Sequence, residues 1–105
     1  MDLAETPALD SLVATGTRAE RLVPVFPTKT FPNHYTIVTG LYPEHHGIVA
    51  NNFYDPLFDA SFILSDSETL FRWPWWEGEP IWVTAERQGL TTATYFWPGS
   101  EADFD

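Results

Sequence analysis

The stretch FPTKTFPNHYTIVTGLYPEHHGIVANNFY, Phe26 to Tyr54, decides the reading of this chain. It sets a hydroxyl, Thr30, directly before a helix-like run and directly after Lys29. Pro32 is tolerated in the first turn of that helix and Gly40 ends it, so a helix is expected from about Phe31 to Thr39. Asn51 and Asn52 follow on a predicted turn or strand over Gly47 to Phe53. A hydroxyl at a helix entry sits beside unpaired amide N–H groups and the positive end of the helix dipole, which favour an anion. The same donors would stabilise a phosphoryl oxygen in a transition state. Lys29 adds a positive charge, and Asn51 offers a neutral amide donor. The plain alternative is that Thr30 is only a helix cap and Lys29 a solvated side chain.

Outward from this stretch, helices and strands alternate. Thr6 caps a helix that starts at Pro7 and stops at Gly16, with Leu9, Leu12 and Val13 as its apolar face. Residues 19–26, AERLVPVF, read as a short strand, bent or at an edge because of Pro24. Residues 55–78 read as an irregular, acidic, tryptophan-rich stretch. A third helix is expected from Pro80 to Gly89 with Ile81, Trp82 and Ala85 inward, and residues 91–97, TTATYFW, look like a strand. This alternation predicts an α/β layered fold with a mostly parallel sheet flanked by helices. A parallel sheet has both faces covered. Three helices and about three strands give few partners for five tryptophans and eight phenylalanines, so the chain is expected to be one piece of a larger domain.

Composition narrows the function. The chain has 105 residues, 44% of them hydrophobic, enough to build a core. A net charge of −10 argues against a general nucleic-acid-binding surface. It leaves nucleotides open as substrates, because a bound metal reverses the local field. The absence of cysteine excludes disulfides and thiolate metal sites within these residues. No apolar run approaches the roughly 20 residues of a membrane span. The start MDLAET lacks the basic and apolar regions of a signal peptide, which by itself implies the cytosol.

Other clusters have plainer readings. His34, His45 and His46 with Glu44 match no zinc-ligand spacing. The PEHHG histidines are expected in solvent or capping a helix, and His34 is expected to make a structural hydrogen bond near Thr30. Trp73, Trp75 and Trp76 could form a carbohydrate or lipid platform, but beside proline and glycine they read as a packed loop. Asp55, Asp59, Asp66, Glu68, Glu77 and Glu79 lack the spacing and glycine of a calcium loop and read as a solvated acidic face.

The chain resembles the nucleotide pyrophosphatase/phosphodiesterase family of the alkaline-phosphatase superfamily. Five blocks carry the resemblance in the family's order: TPALDSL (Thr6 to Leu12), PTKTFPNHYTIVTGLYPEHHGI (Pro27 to Ile48), NNFYDP (Asn51 to Pro56), GEPIWVTAERQG (Gly78 to Gly89) and FWPGS (Phe96 to Ser100). The resemblance implies that residues 1–105 are a partial catalytic domain, truncated at both ends, of an alkaline-phosphatase-like fold. It implies zinc-dependent hydrolysis of phosphodiester or pyrophosphate bonds of nucleotides through a phosphothreonine. Lysophospholipids or other diesters are the alternative substrates, and an inactive truncated fragment is the non-catalytic alternative. Thr30 would be both nucleophile and a ligand to one of two zinc ions. Asn51 would bind a phosphate oxygen, and Phe31, Trp97 and Leu64 would wall the nucleotide pocket. Lys29 matches a motif lysine. Near Thr69 the chain lacks a lysine that some nucleotide-preferring relatives carry. The remaining zinc ligands would be aspartates and histidines outside these residues, so the chain alone is expected to be inactive. The resemblance also implies an extracytoplasmic location, periplasmic or secreted.

Overall fold

The structure is a computed structural model that describes residues 5–104, with the side chain of Trp73 outside that description. In chain order it contains α1 (Pro7–Thr15), α2 (Thr30–Thr39), α3 (Pro43–His46), β1 (Asn52–Asp55), β2 (Ala60–Ile63), α4 (Ser67–Phe71), a 3-10 turn (Trp73–Trp75) and α5 (Ile81–Arg87). It is a mixed α/β arrangement. Pro7 opens α1 and Gly16 closes it, as the sequence predicts. The Thr6 side chain makes no capping bond to the helix amides; its hydroxyl lies 3.4 Å from the Asp10 carboxylate instead. Gly40 ends α2 at φ +70°, a left-handed conformation that glycine enters without the Cβ penalty.

The core forms where α2, the hairpin and the tryptophan turn meet. Phe31, Tyr35, Ile48, Phe62, Trp75 and Trp76 are buried together, with Phe53, Leu64 and Leu70 packed against them. Trp75 and Trp76 thus pack as a loop, the Trp73 side chain lying outside the described residues, and the indole N–H of Trp76 donates to the Leu70 carbonyl at 3.0 Å, which relieves the cost of burying it. Aromatic rings dominate the contacts: Phe53 stacks on Phe62 at 5.3 Å, and Trp76 meets Tyr35 edge-on at 4.9 Å.

Strand expectations are partly corrected. β1 and β2 pair antiparallel, with Asn52 opposite Ile63 and Phe53 opposite Phe62. β1 overlaps the strand or turn expected over Gly47 to Phe53, while β2 lies inside the region expected to be irregular; the hairpin is closed by Asp55 accepting from the Leu57 N–H at 2.7 Å. Residues 19–26 and 91–97, expected as strands, carry no ladder among the described residues. A strand needs a neighbour for its N–H and C=O groups, and Leu22, Val23, Phe26, Tyr95 and Phe96 are instead exposed. The expected inner face of α1 is open, with Leu9, Leu12 and Val13 exposed, while on α5 Ile81 is exposed and Trp82 and Ala85 are half-buried.

Candidate active site

Thr30 is the first residue of α2, with Lys29 in extended conformation before it. Asn33 holds the approach to it. Its Oδ1 accepts from the Val25 N–H at 2.8 Å, and its Nδ2 donates to the Lys29 carbonyl at 2.9 Å. The Lys29 N–H turns back to the Pro27 carbonyl at 2.8 Å, and the Thr28 hydroxyl to that of Val25 at 3.1 Å. Residues 25–29 are therefore tied down from within the helix they precede. Asparagine readily bonds nearby backbone, so an asparagine four residues after Lys29 was a legible signal that the sequence reading passed over.

Asn51 reaches the same helix end from the far side of α3. Its Oδ1 accepts the Phe31 N–H at 3.1 Å. That bond orients the amide, since an amide with its oxygen on a donor turns its NH2 away. Asn51 Nδ2 therefore faces away from the Phe31 N–H. The arrangement amends the expectation of several free amides at this terminus. Phe31 gives its N–H to Asn51, Pro32 has none, and the Asn33 N–H returns to the Lys29 carbonyl at 3.2 Å. In the first turn only the Thr30 N–H remains without a partner among the described residues.

The other expected site residues spread from this point. Leu64, half-buried, is joined to Asn51 through its N–H on the Asn51 carbonyl at 3.1 Å. Trp97 is half-buried and lies against His34, rings 5.2 Å apart, with its indole N–H on the His34 carbonyl at 3.1 Å. His34 Nδ1 faces the Thr30 carbonyl at 2.7 Å, the structural bond expected of it. Phe31 stands apart: its ring is 7% exposed and packs on Trp76 and Phe62 at 5.9 and 6.2 Å. The ring is part of the core, while its N–H is part of the site. Lys29 is exposed. Thr69 is a staple rather than a substrate contact, its hydroxyl 2.9 Å from the Ile63 and Asp66 carbonyls.

Of the adjacent histidines, His45 is exposed as expected, but His46 is fully buried. His46 Nδ1 accepts from the Ile48 N–H at 3.2 Å, so Nε2 carries the proton and meets the Thr36 hydroxyl at 3.0 Å. Burial pushes its pKa below the ordinary histidine value, and the neutral ring braces α3 on α2. Burial likewise raises the Tyr35 phenol, which keeps its proton and donates to the Gly78 carbonyl at 3.4 Å. Among the described residues no group of three or more histidines or acids is placed to hold a metal ion.

Comparison with known proteins follows the same residues. The sequence model of the type I phosphodiesterase / nucleotide pyrophosphatase family matches residues 1–105. The chain is 54% identical over 99 residues to ectonucleotide pyrophosphatase/phosphodiesterase family member 1 of Homo sapiens, covering 94% of this chain and 11% of that protein. It is 55% identical over 95 residues to family member 3 of Bos taurus, covering 90% of this chain and 11% of that one. It is 57% identical over 95 residues to venom phosphodiesterase 2 of Crotalus adamanteus, covering 90% of this chain and 12% of that enzyme. The chain thus spans about a tenth of the length of the relatives it matches. With a family match along its whole length and more than half of its matched residues identical to these relatives, this chain belongs to the type I phosphodiesterase/nucleotide pyrophosphatase family.

Proposed function

We propose that these residues are the nucleophile-bearing part of a catalytic domain that hydrolyses phosphodiester and pyrophosphate bonds of nucleotides. The observation that carries this reading is Asn51 bonded to the Phe31 N–H at 3.1 Å, which sets an amide donor beside Thr30 at the start of α2. Thr30 Oγ attacks phosphorus, an O–P bond forms, and the bond to the leaving oxygen breaks. A nucleoside monophosphate is left esterified to Thr30, and water then releases it. Asn51 Nδ2, the Thr30 N–H and the α2 dipole oppose the negative charge that grows on the nonbridging oxygens. Exposed Lys29 draws an anionic substrate toward the turn. Trp97 and Leu64 wall the base. Phe31 supports the site through its N–H and its anchoring in the core, which leaves little of its ring to stack on a base.

A zinc pair would lower the pKa of the Thr30 hydroxyl and neutralise phosphoryl charge. The residues described here do not furnish such a site: Thr30 is one oxygen, and zinc takes about four ligands, or three with an open position. The other ligands would lie in further parts of the domain, and the parallel sheet of the fold would be completed there as well. The kinds of relative the chain matches, ectonucleotide and venom enzymes, support an extracytoplasmic location for the whole protein.

The reading is tested by placing residues 5–104 in the human relative in place of its matching segment. The chimera is expected to hydrolyse the p-nitrophenyl ester of thymidine 5′-monophosphate and, with the thymidine labelled, to trap labelled thymidylate on Thr30. Thr30→Ala is expected to lower turnover at least about 10³-fold, as removal of a nucleophile does. A Thr30→Ala chimera as active as its parent would sink the proposal.

A further inference from the structure

Trp97 and Thr30 are far apart in sequence, and one residue joins them. His34 lies one turn into α2. A carbonyl oxygen can only accept, so the 2.7 Å contact between His34 Nδ1 and the Thr30 oxygen fixes the proton on Nδ1. The same residue holds Trp97 twice. Its backbone oxygen accepts the indole N–H at 3.1 Å, across 63 residues of sequence, and its ring meets the indole edge-on at 5.2 Å. Edge-on ring contacts are favourable beyond the area they bury. The Trp97 turn also packs on α2 through Gly99, which is buried where a Cβ would come within 2.9 Å of the Tyr35 ring. The indole therefore has its N–H committed and its position set against the helix that carries the nucleophile.

We infer that His34 is a positioning residue that locks the Trp97 wall to the Thr30 turn and so sets the distance between a bound base and the attacking hydroxyl. The inference rests on the nucleotide reading above and names its specificity device. A nucleoside 5′-phosphoryl ester must reach Trp97 with its base and Thr30 with its phosphorus at once. A wall free to drift costs base binding without touching the reacting atoms. A small diester that offers no base to Trp97 is far less sensitive to that drift. His34→Asn separates the two contacts. It retains a donor for the Thr30 carbonyl, as Asn33 does for that of Lys29 at 2.9 Å, and lacks the ring that meets Trp97.

The coupling is read first in the chimera, from the Trp97 emission obtained by subtracting the spectrum of its Trp97→Phe variant. His34→Ala is expected to change that difference spectrum in intensity and wavelength while leaving the circular dichroism in place. Kinetics are read in the chimera. For the p-nitrophenyl ester of thymidine 5′-monophosphate, His34→Ala is expected to raise KM about tenfold, the size of losing one base–aromatic stack, with kcat little changed. KM for methyl p-nitrophenyl phosphate is expected to move much less, and His34→Asn to reproduce the selective rise. An unchanged Trp97 spectrum in His34→Ala, or an equal loss of kcat on both substrates, overturns the inference. A parent chimera that hydrolyses methyl p-nitrophenyl phosphate but shows no preference for the nucleotide ester overturns the base wall itself, and the inference with it. A parent chimera inactive on both overturns the nucleotide reading, whatever His34 does.

Discussion

At the scale of single residues, Asn51 shows two tasks in one side chain. Its oxygen caps Phe31, and its nitrogen is the donor we propose for a phosphoryl oxygen. Asn51→Ala removes both and is expected to cost about 1 kcal/mol of stability, the size of a lost helix cap. Asn51→Asp keeps the acceptor and removes the donor. Its melting temperature is expected to stay near that of the parent, while turnover in the chimera falls about 10²- to 10³-fold, as loss of an oxyanion donor does. Equal melting losses in the two variants would show that the oxygen is not what caps α2. His46 makes a pH prediction. Its folded-state pKa lies below the ordinary value because burial disfavours the charged ring. The unfolded chain therefore binds the proton more readily. The stability His46 contributes is complete above about pH 6.5 and is lost as pH falls through its folded pKa. Thermal unfolding followed from about pH 8 to about pH 5 should fall more steeply for the parent than for His46→Gln. Parallel profiles would contradict the buried neutral ring.

At the scale of elements, α2 is positioned by contacts from segments distant in sequence. The hairpin covers Phe31 with Phe62, and the Trp97–Ser100 turn covers Tyr35 with Gly99. That turn admits no side chain at Gly99. Its φ is +94°, and an added Cβ would lie 2.9 Å from Tyr35 Cδ2 and 3.1 Å from Trp76 Cζ3. Both rings are buried and cannot swing away. Gly99→Ala is expected to cost about 2–4 kcal/mol, combining left-handed strain with overpacking. Chemical denaturation measures it, and a midpoint unchanged from the parent would show that the turn is not seated on α2. The hairpin was legible in hindsight. Asn-Phe-Tyr-Asp and Ala-Ser-Phe-Ile alternate in and out around an Asp-Pro turn, but among the surrounding acids and tryptophans an alternation only four residues long carries little signal.

At the scale of the molecule, the chain is expanded. Its radius of gyration is 17.0 Å, against about 13 Å for a compact chain of this length. Leu9, Leu12, Leu22, Val23, Phe26, Tyr95 and Phe96 stand exposed, more apolar surface than a monomer of this size ordinarily shows. These residues lie on α1 and in the segments expected as strands, so the surface is the one that further layers of an α/β domain would cover. The 105-residue chain by itself is expected to bind a hydrophobic dye and to self-associate at micromolar concentration. Sedimentation as a compact monomer without dye binding would refute this.

Local chemistry was enough, from sequence alone, for what depends on neighbours in the chain. Pro7 and Gly16 bound one helix, Gly40 ends another, and Lys29–Thr30 stand at a helix entry because backbone preference acts over a few residues. The ordered blocks likewise carried the family. What only the tertiary structure decided are the pairings between distant segments. Asn51 turns its amide because Phe31 takes its oxygen, and Trp97 finds Thr30 through His34. His46 is neutral because Tyr35, Thr36 and Ile48 close over it. A side chain's partner across tens of residues depends on how the chain returns to itself, and no local pattern encodes that return. For the same reason residues 19–26 and 91–97 read as strands in sequence yet carry no ladder here. Strand propensity is local, but a strand exists only where another backbone meets its hydrogen bonds.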